Sequence, residues 1–471
     1  MRTNKVEKKK IFFVILLATI ITMIYSISVY AYEKIYQLES EEDIYNDIAS
    51  TKNGGYVTVG SKIDKSATYI SLYNSEGNEI KSKEYGRSLD YFYSVKQTMD
   101  NGYIAVGQSQ ANYSDALIVK FDEDLNITWE KTYKGNKYES YTSVIETSDG
   151  SFIAVGITDK VNTNYEPSKG LIAKYSQNGE QLWINTIGGT SYDKFNSVIE
   201  TSDNGYIVVG EFKSKDIDSL EIKGESDAII FKYDNEGKLL WKKNYGGSDA
   251  DGFASIIETK DEGYVIVGNT YSSDIEGISK YGQEKCLIVK YDKDFNLLWN
   301  KSYGKVGYNY FTDIAELNNG NVIAIGRNNL YKYNQDGEII SGKNNGGVIV
   351  QYDINGNMIT DEVSNQDYDV EYSAISKLDD TFVILGTGYG ETEESNYDEI
   401  TSIVIKYKDD TKLEQIGNEE SKEETVSQED NTIANKILPK AGQKNIVIIL
   451  MLSIILVLAT FILYKKLKHI K

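Results

Sequence analysis

The stretch Gly205-Tyr206-Ile207-Val208-Val209-Gly210, followed by Asp227-Ala228-Ile229-Ile230-Phe231-Lys232-Tyr233 and Leu239-Leu240-Trp241, decides how this chain folds, because it recurs. Gly102-Tyr103-Ile104-Ala105-Val106-Gly107 and Gly263-Tyr264-Val265-Ile266-Val267-Gly268 are further copies. The closing glycine returns at Gly60, Gly107, Gly156, Gly210, Gly268, Gly326 and Gly386, at spacings of 47 to 60 residues. A period of this size points to a repeat architecture. Each copy follows a β-branched run such as Ser143-Val144-Ile145-Glu146-Thr147 and a turn such as Ser148-Asp149-Gly150, and a second turn at Asp234 to Gly237 separates the last two apolar runs. The unit therefore reads strand, turn, strand, loop, strand, turn, strand.

Two columns check this alignment. At the position of Ala228 the copies carry Thr68, Ala116, Gly170, Ala228, Cys286, Gly347 and Ser402, all small; five residues on they carry Tyr73, Phe121, Tyr175, Tyr233, Tyr291, Tyr352 and Tyr407, all aromatic. Cys286 is thus a small core residue, and as the only cysteine it excludes an intrachain disulfide. The four tryptophans, Trp129, Trp183, Trp241 and Trp299, share one place in the fourth strand and read as framework. Seven units of four strands predict an all-β, seven-bladed β-propeller, whose blades bury both faces against their neighbours. The units resemble the bacterial β-propeller repeats of secreted and surface proteins, in the pattern D-G-G-Y-I-V-V-G followed by D-A-x-I-V-K-Y-D-x-x-G-x-L-x-W, over roughly residues 36 to 407. The resemblance implies a scaffold and no particular activity. The chain enters with Lys34 to Leu38, aligned with the fourth strand near Tyr245, and leaves the repeats after a third strand at Ile403 to Tyr407. An N-terminal strand is then expected to complete the last blade and leave no open edge, with Leu413 to Ile416 as the competing segment.

The ends carry different signals. Residues 2 to 10 are basic, Ile11 to Ile24 is mostly apolar, and Ser26-Ile27-Ser28-Val29-Tyr30-Ala31 follows. This predicts a signal peptide over 1–31 with Ala31 the last residue removed, an uncleaved anchor being the alternative. Asn445 to Tyr464 is long and apolar enough for a transmembrane helix, and the basic tail after it predicts a cytoplasmic C-terminus. Just before it stands Leu438-Pro439-Lys440-Ala441-Gly442. This is similar to the L-P-x-T-G sorting signal of Gram-positive surface proteins, with Ala441 in place of the usual Thr. The resemblance implies cleavage before Gly442 by a sortase-like transpeptidase and linkage to the cell wall; retention as a membrane anchor is the alternative. The expected organisation is 1–31 signal peptide, 32–407 propeller, 408–437 acidic disordered stalk and 438–471 sorting signal, transmembrane anchor and tail.

Charge and composition narrow the chemistry. The chain has 50 basic and 71 acidic residues, a net of -21; the two terminal signals hold eleven of the basic residues and one acidic one, leaving 39 against 70 between them. Such a surface repels nucleic acid and anionic lipid. The sole histidine is His469, and after Arg2 the arginines are Arg87 and Arg327, so His-based triads, His-ligated zinc and a three-arginine clamp are excluded.

With the first strand innermost, the loops joining strands two and three and those joining successive blades open on one face. The strand two-to-three connection lengthens from 8 residues between Gly60 and Thr68 to 18 in the fourth and fifth units and 21 in the sixth. The same face carries an acid and an aromatic before strand one: Asp43 with Tyr45, Asp90 with Phe92, Glu139 with Tyr141, Asp193 with Phe195, and Asp251 with Phe253, followed by Asn309 with Phe311 and by Tyr372. As a binding face these would suit a sugar, a cationic group or a basic peptide; as framework the rings pack between blades and the acids cap turns. Asp122-Glu123-Asp124-Leu125-Asn126 and Asp292-Lys293-Asp294-Phe295-Asn296 open like calcium loops but lack the following Gly and the twelfth-position Glu, so hairpin chemistry explains them and no cofactor is expected. Glu146, Glu200, Glu258 and Glu316 could face the channel and gather a cation. The expectation is an extracellular, non-catalytic binding or adhesion module with a glycan or protein ligand. A carboxylate-dependent polysaccharide-active enzyme and a structural spacer are the alternatives.

Overall fold

Each repeat closes on itself as an antiparallel sheet because its apolar runs are joined by turns that can only reverse the chain. The computed structural model describes residues 34–408, apart from 41–42, 63–66, 87–89, 111–113, 136, 161–166, 281–282, 305–306, 330–331, 334–338, 342–344, 365–368, 379–380 and 393–394. The expected signal peptide, stalk and anchor lie outside these residues, Lys408 excepted, as does the competing segment Leu413 to Ile416. Blades 1 to 5 span 43–85, 91–133, 138–187, 193–245 and 251–303, each a four-stranded sheet in chain order. Blade 6 spans 310–363 and carries an added pair, Lys332–Tyr333 with Ile339–Ser341, in its strand two-to-three loop. Blade 7 takes Asp369–Leu378, Thr381–Thr392 and Ser395–Lys408 from the end of the repeats and its outer strand, Lys34–Ser40, from the beginning. That strand pairs antiparallel with the third, Leu38 opposite Val404 and Lys34 opposite Tyr407, so the expected closure is what the chain adopts. Among the described residues there is no helix, and none long and apolar enough to cross a membrane.

The repeated glycine has a steric cause. Every first strand shifts register just after its aromatic residue, between Phe195 and Ser197 in blade 4 and between Phe253 and Ser255 in blade 5. This bulge presses the carbonyl before the aromatic onto the second strand. A Cβ at Gly210 would collide with the Lys194 carbonyl oxygen, and one at Gly268 with that of Gly252.

The small and aromatic columns meet across the joints between blades. A Cβ on Gly170 in blade 3 would stand 2.8 Å from the Phe195 ring of blade 4, and one on Gly347 in blade 6 would stand 2.7 Å from the Tyr372 ring of blade 7. Ala228 and Cys286 share core clusters with Phe253 and Phe311 of the following blades in the same way. Each first-strand ring is therefore a knob in a socket floored by the preceding blade's small residue. Phe92, Tyr141, Phe195 and Phe253 have no exposed surface at all. Burying a ring of this size contributes roughly 2–3 kcal/mol, and the joint recurs around the ring.

Farther out, three tryptophans join blades by a second device. The indoles of Trp129, Trp183 and Trp299 cover Gly179, Gly237 and Gly356 in the outer turn of the next blade, where φ is 78°, 82° and 77°. Their Nε1 groups donate to Gln177, Asn235 and Ile354 carbonyls of the same turns at 2.9, 3.2 and 3.1 Å. A side chain on those glycines would meet both the ring and a left-handed backbone. Trp241 packs instead on Phe295, with centroids 4.8 Å apart.

Within blades 2 to 5, a third-strand lysine is buried against the turn joining strands one and two. Lys120 meets Asp100 at 2.9 Å, Lys174 Asp149 at 2.9 Å, Lys232 Asp203 at 2.6 Å and Lys290 Asp261 at 2.7 Å. Burial alone would raise these carboxyls. At Asp203 the bonds from Lys232, Thr201 and the Gly205 N–H outweigh it and hold the group at about 2.

Candidate functional site

The seven first strands enclose an axial cavity of about 550 Å³, lined among others by Asn46, Ser94, Ser143, Ser197, Ser255 and Asp313. The innermost strand is therefore strand one, and the strand two-to-three and inter-blade loops share one face. The channel wall is stitched by side chains at the bulges. Asn46 Nδ2 donates to the Phe92 carbonyl at 2.7 Å, and Asn196 Nδ2 to the Phe253 carbonyl at 2.6 Å. Asp47 Oδ2 accepts the Val95 N–H at 2.9 Å; Asp313 accepts the Ile375 N–H at 2.9 Å and the Ser255 hydroxyl at 2.7 Å.

The strand-one glutamates belong to this stitching. Glu146 accepts the Met99 N–H at 2.6 Å, Glu200 the Ser148 N–H at 2.7 Å and Glu316 the Lys260 N–H at 3.0 Å, each from the preceding blade's turn. These three bridge blades, and Glu258 and Glu316 also line the axial cavity. Asp122 and Asp292 are likewise engaged within their hairpins, accepting the Asn126 and Asn296 N–H groups at 2.7 and 2.8 Å. No group of three or more His, Cys, Asp or Glu placed to hold a metal occurs among the described residues.

The acid–aromatic pairs are built into the joints. Tyr45, Phe92, Tyr141, Phe195 and Phe253 are all buried between blades, with no ring face left for a ligand. Asp193 accepts the Gly189, Lys213 and Ser214 N–H groups at 2.8, 3.0 and 3.0 Å, closing the inter-blade loop onto the strand two-to-three loop. Asp251 accepts the Gly247 N–H at 2.8 Å, the Ser272 hydroxyl at 2.8 Å and the Thr270 hydroxyl. Burial raises both carboxyls and these bonds oppose it. Asp90 lies buried against Gly86 and Glu139 against Gly135, while Asp43 opens its strand opposite Lys62. Of the two readings of these pairs, the buried rings and the loop bonds of Asp193 and Asp251 favour framework over an accessible binding face.

The long loops of blades 4 and 5 are ordered copies of one another. Ser214, Asp216 and Ile217 match Ser272, Asp274 and Ile275, 58 residues on. Asp216 accepts the Thr190 N–H at 3.0 Å and Asp274 the Ser248 N–H at 2.9 Å, and Ile217, Leu220, Ile222 and Ile278 anchor the loops in the core. That internal repeat was visible in the sequence and went unread there.

Symmetry fails at the rim of the channel on this face. One residue before each first-strand aromatic stands opposite the residue after the second-strand glycine. In blades 1 to 3 the pairs are Ile44 with Ser61, Tyr91 with Gln108 and Ser140 with Ile157, all uncharged. In blades 4 to 7 they are Lys194 with Glu211, Gly252 with Asn269, Tyr310 with Arg327 and Glu371 with Thr387. Behind blade 5, Asn269 Nδ2 donates to Glu284 Oε1 at 2.8 Å. Glu284 is nearly buried. Burial pushes its carboxyl up to about 7, against hydrogen bonds from Tyr271 and Asn269 and the field of Arg327. Arg327 approaches Glu371 at 3.7 Å. This arc is the candidate site, and sequence reasoning missed it because the pairs emerge only from the strand register.

No family profile and no curated protein matches the chain. Solved structures resemble the chain at low identity. Sqt1 from Chaetomium thermophilum is 11% identical with a TM-score of 0.40, covering 79% of this chain and 99% of that one. A protein from Lactobacillus plantarum is 11% identical at 0.43, covering 67% and 82%. The β-propeller domain of the Trilobed protease from Pyrococcus furiosus, described as having an open velcro topology, is 12% identical at 0.41, covering 76% and 98%.

Proposed function

We propose that this β-propeller is a non-catalytic binding or adhesion module displayed outside a Gram-positive cell and held by its C-terminal segment, with a glycan or protein as ligand. The observation that carries the reading is the contrast at the rim: charged side chains stand in the pairs of blades 4, 6 and 7 and in none of blades 1 to 3. The segments 1–31 and 438–471 support export and attachment, the latter to the wall through a sortase-like transpeptidase acting before Gly442, or to the membrane. Lys34 and Tyr407 are paired at the start and end of their strands, so both chain ends leave blade 7 on the short-turn face, opposite the rim.

The test is to express the full chain in a Gram-positive host, shave intact cells with protease, and apply the displayed protein to glycan and protein arrays. Protease-sensitive, selective binding is the expected result. Retention inside the cell removes the display reading, and release of reducing ends from polysaccharide replaces binding with catalysis.

A further inference from the structure

The axial cavity is walled by strands that pair on one side only, so every second N–H of a first strand points at the axis. The turn bonds from the Thr147, Thr201 and Thr259 N–H groups to the Ser151, Gly205 and Gly263 carbonyls fix which ones these are. Counting back in twos along the antiparallel ladders, the N–H groups of Val144, Val198 and Ile256 face away from strand two and toward the axis. Their counterparts in the other four blades are those of Ile48, Val95, Ile314 and Ile375.

Two aspartates show what such groups bind. Asp47 Oδ1 accepts the Ile48 N–H at 2.8 Å, and its Oδ2 accepts the Val95 N–H of the next blade at 2.9 Å. Asp313 repeats the bridge, Oδ1 to Ile314 and Oδ2 to Ile375 of the next blade, both at 2.9 Å. One carboxylate thus ties two neighbouring blades, and together the two serve blades 1, 2, 6 and 7. At the same position blades 3 and 4 carry Ser143 and Ser197, after Ser94 in blade 2. Among the described residues no side chain accepts the Val144, Val198 or Ile256 N–H, and the three serine hydroxyls make no bond. Ser94, Ser143, Ser197, Val198 and Ile256 all line the cavity of about 550 Å³. The arc of blades 3 to 5 therefore offers donors that lack an acceptor. Of the remaining charges in the lining, Lys96 and Lys377 offset Glu258 and Glu316, while both aspartates are spent on N–H groups of the opposite arc. A carboxylate is the acceptor this ring already uses, and backbone N–H groups hold its charge well. Tyr93, beside the hydroxyls in the lining, suits the polyhydroxylated body of a molecule that carries one.

We infer that the axial cavity is a binding site for a sugar acid, whose two carboxylate oxygens bridge the Val144 and Val198 N–H groups as Asp47 bridges Ile48 and Val95. The site is separate from the rim arc and goes beyond the binding role assigned to it. It needs no covalent step.

The test is a calorimetric titration of the full-length chain, purified in nonionic detergent, with D-glucuronate and, as the uncharged arm, glucose. Two substitutions build the missing carboxylate into the chain: Ser143→Asp, placed to bridge Val144 and Val198, and Ser197→Asp, placed to bridge Val198 and Ile256. The expected result is saturable binding of glucuronate, at least tenfold tighter than glucose. Each aspartate variant should lose that binding at least tenfold with its melting temperature equal to or above that of the unaltered chain, whereas Ser143→Ala, which keeps both N–H groups, loses less. Absence of glucuronate binding, or glucose bound as tightly, overturns the ligand class. Unchanged binding in both aspartate variants, or a lowered melt in both, overturns the bridge. The titration depends neither on the rim nor on where the chain is displayed, so its failure leaves the binding-module reading standing.

Discussion

At the joints between blades the same elements return: a first-strand ring, a small third-strand floor and a second-strand glycine. At the rim, 194 to 371, adjacent blades share almost nothing, although the same strands supply both regions and the residues alternate along them. Phe195 is wholly buried in its socket, while its chain neighbour Lys194 is part-exposed opposite Glu211. The bulge makes the separation possible, because it directs one residue sideways into the next blade while leaving the one before it opposite the second strand. Repetition in this molecule marks what holds the ring, and departure from repetition marks where a ligand would find something particular to recognise.

That comparison can be broken first at the closing blade, the one joint made by strands distant in sequence. Deleting residues 34–40 is expected to lower the melting temperature by on the order of 10 °C, since it strips the outer strand from blade 7 and opens the ring. As a positive control, Leu38→Cys with Val404→Cys, which stand opposite each other, is expected to form a disulfide under air oxidation and raise the melt. An unaltered melt in the deletion, with no crosslink, would refute the closure.

At an ordinary joint, Phe195→Ala empties a socket floored by Gly170 and should cost about 3–5 kcal/mol in denaturant unfolding. A loss under 1 kcal/mol would mean that the joint is not the principal cement.

A smaller effect is expected from the buried lysine pairs. Asp203 has a folded-state carboxyl at about 2 against an ordinary 3.8, so its contribution is complete above 3.8 and lost as pH falls through 2. Asp203→Asn should therefore lower the melt slightly at pH 6 and not at pH 2, the carboxylate being too exposed for a large effect. A deficit that persists undiminished at pH 2 would contradict this. Glu284 has the opposite sign. Its carboxyl is raised from 4.5 to about 7, so the folded ring binds the extra proton and loses stability as pH rises between those values. Glu284→Gln should raise the melt at pH 8 and leave it unchanged at pH 4; a gain at pH 4 would point to another cause.

Much of the ring was legible in the sequence because steric demands repeat with the blade. The glycine at 60, 107, 156, 210, 268, 326 and 386, the small column at 228 and the aromatic column at 233 are each forced by contact, and the register confirms the pairing of Gly210 with Phe195 and of Tyr206 with Tyr233. The direction of the first-strand rings was not legible, since a bulge leaves no signature in residue type and the alternation simply slips by one. The acids beside them looked available because a carboxylate that caps a loop and one that binds a ligand read alike. The pairing of Lys232 with Asp203 crosses a sheet and is likewise silent in one dimension. The rim was hidden for a different reason: Gly252, Asn269 and Glu211 vary between copies, and a search for similarity passes over what varies.

The most direct measurement compares the melting temperatures of two adjacent substitutions, Phe195→Leu in a blade joint and Lys194→Ala beside it. The account predicts that Phe195→Leu, which loosens a wholly buried ring, lowers the melt by several degrees, whereas Lys194→Ala, part-exposed and loosely paired, leaves it within about 1 °C. Equal losses, or a larger one for Lys194→Ala, would contradict the division between joint and rim.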